Sequence, residues 1–87
     1  MNYDSLKKRL TDLKESGELI DGIKLDKATT VANADKFVGT HLHFLEPQER
    51  LKKEGKQVCM AQVKPFFRRL KKYLKEVEKI KSEKKQK

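Results

Sequence analysis

The chain has 87 residues, 36% of them hydrophobic and 40% charged, and it carries a formal net charge of +9. A chain of this length buries one small core, which predicts a single domain and leaves no room for a deep catalytic cavity. Its one cysteine excludes an intramolecular disulfide, and the lack of any run of about 18 apolar residues excludes a membrane-spanning helix, so we expect a cytoplasmic protein.

The first predicted element is an amphipathic helix over residues 4–15. Charged residues fill the positions between an apolar face that recurs at helical spacing, formed by Tyr3, Leu6, Leu10 and Leu13. Asn2 or Asp4 is suited to cap the start of this helix. Gly17 provides the left-handed residue that commonly ends one.

The helical period is lost between residues 18 and 32. The pair Asp21-Gly22 is typical of a hairpin turn, but the apolar runs beside it are too short for a stable isolated ribbon. We therefore expect an ordered, irregular connection over residues 19–31 that lays Leu19, Ile23 and Leu25 across the helices, with a short hairpin at residues 18–25 as the alternative. Asp21 and Asp26 lie among lysines and are interpreted as solvated carboxylates.

A second helix is predicted over residues 34–46. Asn33 is suited to cap it, and its apolar face consists of Phe37, Val38, His41, Leu42 and Leu45. Pro47 predicts a break, because the residue before a proline is pushed out of the helical region. The proline is also compatible with a short new helical turn through Leu51, which Gly55 would close.

The third predicted helix, over residues 64–81, has the strongest pattern. Its apolar stripe is wide enough to contact two other helices and comprises Phe66, Phe67, Leu70, Tyr73, Leu74, Val77 and Ile80. Pro65 fits the first turn, and residues 58–63 form either an extended approach or an earlier helical turn. Lysines replace the stripe after Ile80, which predicts a domain over residues 1–80 and a flexible tail over residues 81–87. The fold class is therefore all-α, a three-helix domain.

Positive charge is concentrated at the end of the chain. Residues 64–87 contain eleven Lys or Arg against three Glu, which accounts for +8 of the net +9. Six of these side chains fall on one arc opposite the apolar stripe, namely Lys64, Arg68, Lys71, Lys72, Lys75 and Lys79. We expect Glu76 and Glu78 to pair with neighbouring lysines of this arc. The arc predicts an anionic partner, with nucleic acid first, an acidic protein as the alternative, and a merely solvated face as the third interpretation.

The other residues that could take part in catalysis or metal binding do not indicate an enzyme. His41 and His43 point apart on a helix and cannot share a metal ion, so His41 is interpreted as a partly buried core residue. Cys59 is interpreted as a semi-buried structural thiol, and the scattered glycines form no phosphate-binding loop. Phe66 and Phe67 precede two arginines but fit the core better than a stacking surface. We expect a non-enzymatic monomer without metal or cofactor that does not bind membranes.

Two segments carry a resemblance to a known family. These are residues 25–46, with Asp35-Lys36-Phe37-Val38 leading to His41-Leu42 and Leu45-Glu46, and the segment Lys64-Pro65-Phe66-Phe67-Arg68-Arg69-Leu70. Together they resemble a family of small uncharacterised proteins from Bacteroidetes, in which a helix of the form F-[VI]-x-x-H-L-x-x-L precedes a proline-started helix. The resemblance covers about half of the chain, and the segment between Pro47 and Val63 is longer here. It implies a helical fold and no activity, since the family is a domain of unknown function.

Overall fold

Helices dominate the architecture of the chain. The computed structural model describes residues 2–58 and 60–85, and within them it contains three helices and one short hairpin. The order is α1 (Tyr3–Ser16), β1 (Ile23–Lys24), β2 (Thr30–Val31), α2 (Ala34–Lys53) and α3 (Met60–Lys85). The predicted small all-α domain is confirmed.

Helix α1 matches its prediction closely. The Asn2 side chain caps it by accepting a hydrogen bond from the Ser5 amide at 2.9 Å. Gly17 ends it in the left-handed conformation at φ 73°, and the amide of Glu18 donates to the carbonyl of Leu13 at 2.9 Å. This pairing satisfies a carbonyl that the last turn of a helix leaves free. The predicted apolar face is buried along its whole length.

The connection between α1 and α2 contains a hairpin, so the prediction of an irregular connection is wrong for these residues. Strands β1 and β2 pair antiparallel, with Ile23 opposite Val31 and Lys24 opposite Thr30. Ile23, Val31 and Leu25 are buried and Leu19 is half-buried, so the connection covers the helices as expected.

Asp26 builds the turn of this hairpin. Its Oδ1 accepts hydrogen bonds from the amides of Ala28 and Thr29, both at 2.8 Å. These bonds lower the pKa of Asp26, with a smaller contribution from the charge of Lys72. The carboxylate is exposed, but it organises the turn as well as being solvated.

Asp21 and Gly22 do not form the hairpin turn, so the alternative of a hairpin at residues 18–25 is wrong. The Gly22 amide donates to the carbonyl of Val31 at 2.6 Å, which places it beside the ladder and not at its tip. The Asp21 side chain accepts from the Ala34 amide at 2.7 Å at the start of α2. The turn forms where Asp26 can bond two successive amides, a local interaction that Asp21 does not make.

Helix α2 continues through Pro47 to Lys53, so the predicted break is wrong. A proline inside a helix removes one hydrogen bond, here to the carbonyl of His43. His43 and Pro47 are both exposed, so the missing bond lies on the side of α2 that faces solvent. Leu45 before the proline is buried and Leu51 after it is half-buried. This apolar burial on both sides of Pro47 stabilises a continuous helix. Gly55, at φ 76°, follows the end of α2.

Helix α3 begins earlier and ends later than the sequence predicts. It starts at Met60, which decides in favour of an early helical turn, and Pro65 lies inside the helix rather than in its first turn. The helix includes residues 82–85, beyond the expected end at residue 81. The flexibility of the tail remains a prediction, and residues 86 and 87 lie outside the described part of the chain.

The core lies where the three helices and the hairpin meet. Its largest fully buried side chains are Tyr73, Leu6, Leu10, Leu45, Leu70, Leu74, Val38 and Val77. Burying each large apolar side chain contributes roughly 1.5 to 3 kcal/mol. The Tyr73 hydroxyl accepts from the amide of Ile20 and donates to the carbonyl of Ile20, both at 3.0 Å. It therefore satisfies both polar groups of a residue in the connection.

Candidate functional site

The six basic side chains predicted to share one arc of α3 are all exposed. They form the surface called here the basic face, which consists of Lys64, Arg68, Lys71, Lys72, Lys75 and Lys79. The opposite side of α3 is fixed against the core by buried Leu70, Tyr73, Leu74 and Val77. The core stripe thus sets the direction in which the basic face points, and the face extends roughly 22 Å along the helix at 1.5 Å per residue.

The basic face has no ion-pair partner among residues 2–58 and 60–83, whose side chains the structure describes. Glu78 binds Arg9 of α1 instead, with 3.0 Å between Oε1 and Nη1. Glu76 is half-buried and forms no ion pair within the same residues. The expected pairing of these two glutamates with lysines of the arc is therefore wrong, because α1 lies close enough to compete for Glu78.

Several cations outside the basic face, in contrast, form ion pairs. Four of them bind carboxylates on another element or on the connection, in the pairs Arg9–Glu78, Lys14–Asp35, Lys53–Asp4 and Lys81–Glu18. These pairs are exposed, and each contributes at most about 1 kcal/mol. They leave the basic face without a close ion pair to the described carboxylates, and the Asp26 carboxylate acts on Lys72 only from beyond that distance.

The aromatic residues at the start of α3 pack inward, as predicted. Phe66 is half-buried and stacks on Phe44 of α2, with 4.3 Å between ring centroids. Phe67 is half-buried against the core, and the Lys71 ammonium lies over its ring at 5.5 Å from the centroid. The rings therefore serve packing, and neither stands free for a base to stack on it.

A groove runs between the end of α2 and the beginning of α3, and sequence reasoning missed it. This α2–α3 groove has a volume of about 520 Å³ and is open to solvent on one side. Its apolar surface comes from Tyr3, Val58, Met60, Val63 and Phe67, and its polar rim from Asn2, Gln48, Glu49, Lys52, Lys64, Arg68 and Lys71. Three separate segments line it, so no local pattern announces it. Three of its cations belong to the basic face.

Tyr3 of α1 lines the α2–α3 groove. Its hydroxyl donates to the carbonyl of Leu42 at 3.3 Å. Burial, followed by the nearby carboxylates of Glu46, Glu49 and Asp4, raises the pKa of Tyr3 to about 12. The hydroxyl is therefore neutral at physiological pH. The acidic neighbours make the Tyr3 side of the groove less positive than the α3 side.

The two histidines lie in different environments. His41 is buried, and His43 is exposed on the same helix. The described residues contain no group of three or more His, Cys, Asp or Glu side chains that would hold a metal ion. The interpretation of Cys59 as a structural thiol falls on a residue outside the described part of the chain.

Comparisons with known proteins add no relative. No family model, curated protein or solved structure matches the chain. The resemblance to the Bacteroidetes family stays a prediction. Within residues 2–58 and 60–85, no helix is both long enough and apolar enough to span a membrane.

Proposed function

We propose that the chain is a small, non-enzymatic binding module whose basic face contacts an anionic partner, with nucleic acid as the first candidate. The observation that carries this proposal is that six exposed cations share one side of α3 without an ion-pair partner among the described residues. Like charges held together raise the local potential and attract polyanions.

The spacing of these cations suits a phosphate backbone. A row roughly 22 Å long matches several consecutive phosphates of a duplex or of an extended single strand. The side chains stand on a helix fixed by its core contacts, so the row is rigid along its axis. Lysines dominate the row, and Arg68 is its one arginine, which favours phosphate contacts over readout of base edges. The proposal is therefore binding with little sequence preference.

The test titrates a mixed-sequence duplex and a single strand at about 50 and about 200 mM salt, followed by fluorescence anisotropy. We expect affinity to fall steeply with salt, by about 0.9 units of logarithmic slope for each duplex phosphate contacted. Reversing Lys72, Lys75 and Lys79 to Glu should lower the slope by roughly 2.7, because three phosphate contacts are lost. These three lysines do not line the α2–α3 groove, so the variant leaves that surface intact.

The matched control reverses three lysines that lie elsewhere, namely Lys8, Lys24 and Lys36. All three are exposed and form no ion pair with the described carboxylates, and the net charge changes by the same amount. Equal loss of affinity in the two triple variants would mean that net charge alone drives binding. No binding of either nucleic acid at the lower salt concentration would overturn the proposal and leave an acidic protein partner or a merely solvated face.

A further inference from the structure

We propose that the α2–α3 groove binds an acidic, amphipathic helix of a partner protein. The proposal goes beyond nucleic-acid binding, because it concerns the apolar floor of the groove, which phosphates do not use. Its grounds are the exposed apolar surface of the floor, the charge of the rim and the shape of the walls.

The floor of the groove exposes a large apolar side chain, that of Met60. Met60 is 42% exposed, more than any other large apolar side chain among the described residues. Val58 and Val63 beside it are half-buried. Methionine is flexible and polarisable, and it is common on surfaces that receive apolar side chains of a partner. The floor is mainly aliphatic, which suits leucine-like anchors.

The rim of the groove selects the charge of the occupant. Lys52 stands on the α2 wall, and Lys64, Arg68 and Lys71 stand on the α3 wall. Glu49 is the one carboxylate in the lining, so four cations face one anion. A partner segment with acidic residues beside its apolar anchors complements this rim. Its carboxylates should lie towards α3, away from the acidic surroundings of Tyr3.

The walls of the groove favour a helical occupant. Both walls are helices, and residues 60–71 of α3 extend about 16 Å along the groove. A helix with apolar residues at i, i+3, i+4 and i+7 places its anchors within about 11 Å, which fits this length. Such a helix would pack as a fourth member of the bundle.

Other occupants fit less well. A nucleic acid finds one half-buried ring of α3 in the floor, that of Phe67, and the mainly aliphatic side chains beside it offer no further surface for stacking bases. A second copy of this chain carries the same net charge of +9 and would be repelled from a positive rim.

The test uses a synthetic peptide of about 14 residues, or roughly 21 Å as a helix, with leucines at i, i+3, i+4 and i+7 and glutamates at most other positions. Its comparator has the same composition in scrambled order, so the charge is equal and the apolar face is lost. We expect the scrambled peptide to bind the full chain at least about tenfold more weakly at about 150 mM salt, measured by anisotropy. Equal affinities would overturn the proposal, since charge alone would then explain binding.

Substitution of Met60 locates the binding site. Met60→Glu puts a charge into the floor and should weaken the amphipathic peptide about tenfold, whereas Met60→Leu should retain binding. The side chain is exposed, so both variants should fold, as checked by circular dichroism. Met60→Leu adds no charge beside Lys64, Arg68 and Lys71, so it should leave the salt slope for nucleic acid unchanged, which keeps this test separate from that of the basic face. Unchanged peptide affinity in Met60→Glu would overturn the proposal, as would displacement of the peptide by a dilute single-chain fatty acid, which would identify a lipid site.

Discussion

His41 is a titratable residue held inside the helix interface. Its ring lies 4.1 Å from that of Phe37 and 4.9 Å from that of Phe66, measured between centroids. Nδ1 lies 2.8 Å from the carbonyl of Phe37, and Nε2 is buried without a hydrogen-bond partner in the described structure. Burial lowers the pKa of His41, the carbonyl of Phe37 opposes this effect, and the positive charge of Arg69 lowers the pKa further.

This environment predicts a pH-dependent stability. A histidine whose pKa is lower in the folded chain than its unfolded value of about 6.5 binds protons more readily when unfolded. The free energy of unfolding should therefore be highest above about pH 6.5 and should fall as the pH decreases through and below that value. Replacing His41 by Leu should reduce this fall. At neutral pH it should change stability by less than about 1 kcal/mol, because the lost bond to Phe37 is offset by removal of the unpartnered Nε2.

Urea denaturation, followed by circular dichroism, measures the free energy of unfolding at about pH 8 and about pH 5. These values lie on either side of the unfolded-state pKa of histidine, about 6.5. His43→Gln serves as the control, because the His43 side chain is exposed, and it should keep the pH dependence of the parent chain. An equal loss of stability on acidification in the parent chain and in His41→Leu would show that carboxylates, not His41, cause it.

At the scale of elements, a glycine inside a helix and a glycine that ends one should respond to substitution in opposite ways. Gly39 lies inside α2, and a β-carbon there would meet the Lys14 Nζ at 3.7 Å, an ordinary contact. Gly39→Ala should therefore stabilise the chain by roughly 1 kcal/mol through helix propensity. Gly17 ends α1 at φ 73°, so Gly17→Ala should destabilise it by about 1 kcal/mol. Thermal unfolding of both variants checks the opposite signs, and a loss of stability in Gly39→Ala would contradict the prediction.

The interiors of the helices could be predicted from sequence, because an amphipathic face is written in the local spacing of residues. The buried face of α1, the stripe of α3 and the exposure of the basic face all follow from that spacing. Helix ends near proline could not be predicted in this way. The proline rule is local, whereas apolar burial on both sides of Pro47 is a tertiary effect.

The position of the hairpin turn and the α2–α3 groove could not be predicted from the sequence. The position of the turn depended on which of two aspartates bonds successive amides, and composition does not distinguish Asp21 from Asp26. The α2–α3 groove needs the start of α1, the end of α2 and the beginning of α3 at once. Its one local sign was Met60, an apolar residue whose exposure becomes evident only when α3 is placed.

For the whole molecule, the balance of charge sets the response to salt. The ion pairs between elements are exposed and weak, while the basic face keeps six like charges together. We expect repulsion to dominate, so raising salt from about 50 to about 500 mM should increase the free energy of unfolding by roughly 0.5 kcal/mol. Thermal unfolding across this range measures the effect. A decrease in stability would show that the ion pairs outweigh the repulsion.

The bond between Tyr73 and Ile20 has a consequence for the order of folding. Tyr73 lies 53 positions after Ile20 in the chain. The two residues must meet before the hydroxyl of Tyr73 can replace water as the hydrogen-bond partner of the Ile20 amide and carbonyl. Strands of two residues cannot hold the hairpin together alone. The connection should thus become ordered only after α3 has docked on α1 and α2, so that residues 17–33 are the last part of the chain to reach their native form.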